Sequence, residues 1–217
     1  MFVIFKQEIT MTDIRKAGTM ILENLEMFNE AVMLYETKIH TEVGGELDIV
    51  IENWAQIEEW EAKSALGDED DDNCTTVNPS GWNNSFFELS FLEEGEYDDS
   101  SFLIADFCGV GKNKYVFRFK VKYRDFGGKT IWNRMFRNVP RNITQKISNC
   151  GFSDKNGNGD YYLPVIIDCK KLAIAWNEED YGYVFEPITV VLDRLKNSKT
   201  HFDDLLTFMA REQLTGC

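Results

Sequence analysis

The residues Asp154-Lys155-Asn156-Gly157-Asn158-Gly159-Asp160 place oxygen-bearing side chains at Asp154, Asn156, Asn158 and Asp160, with a glycine after the third. An EF-hand loop uses this spacing to wrap oxygen ligands around calcium. Its twelfth place should be a bidentate glutamate and here is Val165. Asn-Gly and Gly-Asp are also common turn formers, so a plain turn is the preferred reading. Gly109-Val110-Gly111-Lys112 copies part of a phosphate loop, but Asn113 stands where a magnesium-holding Ser or Thr belongs, and a strand rather than a helix is expected next. A hairpin turn is expected there. Asp125-Phe126-Gly127 matches a kinase tripeptide without the accompanying loops. His40 and His201 are the only histidines and have no cysteine at zinc spacing. The five cysteines include no C-x-x-C pair, and Cys108 and Cys169 read as small hydrophobes in strands.

The elements that would position these groups are read from periodicity. Thr12-Asp13 caps a helix carrying Ile14, Ala17, Ile21, Leu25, Phe28, Val32 and Tyr35, with a stop at Gly44-Gly45. A second helix is expected over residues 47–66, which gives an N-terminal helical hairpin over 1–66. An acidic and polar loop over 67–84 follows. Residues 86–91, 102–107 and 115–123 alternate or run apolar as three strands of a central antiparallel meander. In the last, Tyr115, Phe117 and Phe119 point one way and Arg118, Lys120, Lys122 and Arg124 the other. Residues 130–149 read as a helix that Pro140 kinks or splits. A short strand (163–168), a helical turn (172–176) and two closing helices (187–196 and 202–213) complete an α+β core over 85–217. One compact domain overall is the expectation, with 1–66 as a possible subdomain.

The order helix, three strands, helix, strand resembles the core of PD-(D/E)XK nucleases. The resemblance implies carboxylates converging on magnesium beside a lysine that activates water. In one register Asp106 supplies a carboxylate and Lys120 the lysine, although Arg118 is a cation where a second metal ligand belongs. In another, Asp154 or Asp160 pairs with Asp168-Cys169-Lys170, so that Asp168 and Lys170 become the candidates.

Charge bears on partners. The net charge is −14. Residues 1–110 hold 25 acidic and 5 basic side chains, 111–150 hold 11 basic and one acidic, and 151–217 hold 7 basic and 11 acidic. The reading taken from this is a non-enzymatic acidic interaction factor, an inhibitor, immunity-type or regulatory protein imitating DNA charge, that binds a basic protein surface. Its expected contacts are Glu52, Glu58, Glu59, Glu61 and the run Asp68, Glu69, Asp70, Asp71, Asp72. No cofactor is expected unless the nuclease alternative brings magnesium. A second alternative is nucleic-acid binding through Arg118, Lys120, Lys122, Arg124, Arg134, Arg137 and Arg141. Against it stands neutralisation of these cations by the acidic helices. No apolar run approaches a membrane span and no signal peptide is evident, so a cytoplasmic protein without membrane contact is expected. Met11 is a second plausible start.

Overall fold

The computed structural model describes residues 11–67, 75–92, 102–111 and 113–215. The chain divides into two compact units after His40. In the first, α1 (Met11–Glu23) and α2 (Leu25–Leu34) are separated by the single residue Asn24, whose side-chain amide donates to the Met20 carbonyl at 2.9 Å. A π-helical turn, Tyr35–Ile39, follows.

The second unit is α+β. Its elements in order are α3 (His40–Ile57), β1 (Glu61–Lys63), β2 (Thr75–Asn78), β3 (Ser85–Leu92), α4 (Leu103–Phe107), β4 (Lys114–Val121), α5 (Lys129–Phe136), α6 (Arg141–Asn149), β5 (Ser153–Asp154), β6 (Tyr161–Pro164), α7 (Cys169–Glu178) and α8 (Glu186–Thr215). Among the described residues six strands form one antiparallel sheet in the order β1-β2-β3-β4-β6-β5. The first four are a meander. β3 and β4 pair over their full eight residues, from Ser85↔Val121 to Leu92↔Lys114. Period-two alternation buries Val77, Phe87, Leu89, Phe117, Phe119, Tyr161 and Leu163. Against that face α8 inserts Phe202, whose ring stacks on Phe119 at 4.3 Å and meets Phe87, Phe152 and Tyr161 edge-on.

Several boundaries differ from the sequence reading, each for a physical reason. Gly44-Gly45 does not stop a helix, because α3 runs through it. A β-carbon at Gly44 would fall 2.9 Å from the Gly67 α-carbon and closer still to the Leu66 carbonyl, so the glycine admits a backbone crossing. Asp48, one turn on, fixes that crossing by accepting from the Leu66 and Gly67 amides at 3.1 and 3.0 Å. The second helix ends at Ile57 instead of residue 66, and Glu61 begins a strand. Residues 102–107 are not a strand. They form the short helix α4, and Thr75–Asn78 takes the place beside β3. Gly109–Asn113 therefore joins a helix to a strand. The late strand lies at Tyr161–Pro164, and the two closing helices are one helix of 30 residues. The split at Pro140 is present, with Pro140 as the N-cap of α6.

Candidate functional site

Four carboxylates, two from α3 and two from the end of α7, line one depression of the second unit. Glu42 and Glu46 lie one turn apart on α3, which places them on the same helix face. Glu179 ends α7 in the left-handed conformation, φ 53°, and this turns the chain so that Asp180, Tyr181 and Gly182 follow in a tight bend. Asp180 accepts from the Gly182 amide at 3.2 Å. The Tyr181 hydroxyl donates to Glu42 Oε1 at 2.8 Å and ties the bend to α3. The six residues line a space of about 590 Å³. Burial, the bond to Glu42 and the nearby charges of Glu42, Glu46 and Glu179 hold the Tyr181 hydroxyl well above the usual tyrosine range, so it stays a donor. Such a concavity offers acceptors and negative potential, which suits a cationic group.

The expected acidic contacts fall elsewhere. Glu52, Glu59 and Glu61 are exposed, whereas Glu58 is engaged by Lys196 of α8 at 2.6 Å. The run Asp68, Glu69, Asp70, Asp71, Asp72 lies outside the described residues, as does Lys112. Spacing along α3 alone could have flagged Glu42 and Glu46. Their meeting with Glu179 and Asp180 needs the fold.

The basic strand face carries its own counter-charges. Arg118 stands opposite Glu88 in the register, and its Nε lies 3.5 Å from Asp160. Lys120 pairs with Glu88 at 3.1 Å. Lys122 donates to the Asn83 carbonyl at 2.8 Å and shares a depression of about 310 Å³ with Glu61, while Arg124 lies 3.8 Å from Asp125. Arg134, Arg137 and Arg141 are exposed; the first lies on α5, the second caps it and the third opens α6.

The residues proposed for metal chemistry are differently placed. Asp106 is buried on α4, not on a strand, and its carboxylate accepts from the Asn113 amide at 3.0 Å and side chain at 2.9 Å. This closes the turn from α4 into β4. Asp168 is not at a strand end but is the N-cap of α7, accepting from the Lys170 and Lys171 amides at 2.9 and 3.1 Å. Those two amides, Lys171's first, hold its carboxyl below the usual range. Asp154 accepts from the Asn158 and Gly159 amides, and Asn158 Oδ1 accepts from the Asp160 amide at 3.2 Å. Trp132 Nε1 donates to the Asn158 carbonyl. These are the bonds of a turn anchored on α5. Among the described residues, no group of three or more His, Cys, Asp or Glu side chains is clustered for a metal. Cys108 and Cys169, expected in strands, sit at helix ends instead: Cys108 closes α4 and Cys169 opens α7.

The class this defines is an α+β protein with N-terminal helices and a six-stranded antiparallel sheet. No family model, curated protein or solved structure matches the chain. No helix among the described residues is long and apolar enough to cross a membrane.

Proposed function

We propose that this chain is a non-enzymatic interaction protein that presents carboxylates to a basic surface of another protein. The observation that carries the reading is the convergence of Glu42, Glu46, Glu179 and Asp180 on one depression, in a chain of net charge −14. Clustered charge of one sign speeds encounter with a partner of the opposite sign and weakens with salt. Glu52, Glu59 and Glu61 extend the same sign along the unit. The cations of β4 lie beside Glu88 and Asp160, so they offer nucleic acid less than their number suggests.

Affinity capture from native lysate at low and moderate salt, with and without nuclease treatment, tests the reading. The expected result is one stoichiometric protein, resistant to nuclease and released by salt. A triple variant Glu46→Lys, Glu179→Lys, Asp180→Lys should lower that capture at least ten-fold, as expected when several like charges are reversed (roughly 1 kcal/mol each). Glu42 is left in place because it holds Tyr181. Capture of nucleic acid without a protein partner overturns the proposal, as does a partner whose binding ignores both this triple and its counterpart Glu52→Lys, Glu59→Lys, Glu61→Lys.

A further inference from the structure

Among the described residues of the first unit, α1 and α2 have no buried residue. Between Met11 and Leu34 lie ten of the nineteen exposed large apolar side chains among the described residues, including Ile21, Leu25 and Phe28. Helices of 13 and 10 residues are marginal in water without a partner for an apolar face. Ile14, Ile21 and Phe28 recur at d positions and Leu25 and Val32 at a positions of a coiled-coil heptad, with Gly18 at the a position between Ile14 and Ile21.

We propose that α1 and α2 pair with the same two helices of a second copy of this chain, running antiparallel. Charge selects both the occupant and the direction. Arg15 and Lys16 outnumber Asp13 near the start of the segment, and Glu23, Glu26, Glu30 and Glu36 outnumber Lys38 toward its end. An antiparallel pair lays the basic end of each copy beside the acidic end of the other, whereas a parallel pair lays acid on acid. Glu36 lies in the π-helical turn just past α2, and antiparallel overlap of the two segments brings it near Arg15 of the other copy. Arg15 then meets Glu36 of the partner subunit, and symmetry makes that pair twice. A lipid surface would also cover apolar side chains, but surface-bound helices carry cationic flanks, and these flanks are mainly glutamate. This surface is distinct from the acidic depression, so either proposal can fail alone.

Sedimentation equilibrium of the full chain decides it. The wild type should show twice the chain mass. Leu25→Glu with Phe28→Glu should give the single mass with unchanged tryptophan emission, since every tryptophan lies at Trp54 or later. Arg15→Glu should weaken dimerisation roughly ten-fold, because two exposed pairs become repulsive. Adding Glu36→Arg to it should restore the wild-type constant. A wild type that stays monomeric at about 0.1 mM, well above the micromolar affinity of ordinary dimers, overturns the proposal. So does a monomer that cosediments with anionic vesicles. A dimer unaffected by the two glutamates, or not restored by the charge exchange, overturns it equally.

Discussion

Cys108 and Cys169 are 61 positions apart, and the fold makes them neighbours. The Ile167 amide donates to the Phe107 carbonyl at 2.9 Å, which brings together the two thiols one residue beyond Phe107 and two beyond Ile167. Burial first, then Cys169, then the charge of Asp168 push the Cys108 thiol up to about 12. Cys169 is exposed at the start of α7. Iodoacetamide at pH 8, followed by peptide mass mapping, should therefore modify Cys169 well before Cys108. In Cys169→Ser, Cys108 should remain slow, because burial is the leading cause. Rapid labelling of Cys108 in that variant would mean that its neighbour, not burial, suppresses it.

At the scale of elements, α8 carries the most weight. Ile188, Val191, Leu192, Leu195, Ser198, Phe202, Leu205 and Met209 form its buried stripe. Phe202→Ala removes the ring that fills the centre of the sheet's covered face and should cost about 3–5 kcal/mol in urea unfolding. Val190→Ala, on the exposed side of the same helix, should cost less than about 0.5 kcal/mol. A small loss at Phe202 would mean that the aromatic cluster repacks. The same helix shows what was legible in the sequence. Its apolar spacing was readable on both sides of Asn197-Ser198-Lys199-Thr200, a stretch that resembles a helix stop and a new cap. In the fold Ser198 is fully buried and its hydroxyl bonds the Leu195 carbonyl at 2.7 Å, which satisfies it inside one helix. β3 and β4 were legible because alternation is a local signal. Residues 102–107 were not, since a short stretch with five apolar residues of six fits helix and strand alike and the Asp106–Asn113 bonds decide it. Gly44-Gly45 misled because the backbone it admits comes from Leu66 and Gly67, some twenty residues later. The acidic depression was illegible for a related reason: Glu42 and Glu46 meet Glu179 and Asp180 across more than 130 residues.

At the scale of the whole molecule, two electrostatic effects oppose each other when salt is added. Local pairs such as Glu58–Lys196, Lys120–Glu88 and Lys199–Asp203 weaken, and exposed or half-exposed pairs contribute between about 0 and 1 kcal/mol each. Repulsion among the excess carboxylates of a chain carrying −14 also weakens, and it acts over the length of the molecule. Raising ionic strength from about 0.01 M to about 0.15 M shortens the screening length from about 30 Å to about 8 Å. That removes most long-range repulsion, while contacts of 2.6–3.1 Å are screened far less. The melting temperature at pH 7 should therefore rise with sodium chloride over this range, by a few degrees for a net gain of about 1 kcal/mol in a chain of this size. The rise should shrink as pH falls toward the isoelectric point of about 4.6, where the net charge vanishes. Calorimetric scans at both salt concentrations and at pH 7 and pH 5 check it. A melting temperature that falls with salt at pH 7 would mean that the acidic side chains are held mainly by specific cationic partners within the fold. That result would mean that local ion pairs outweigh long-range repulsion even with fourteen carboxylates in excess.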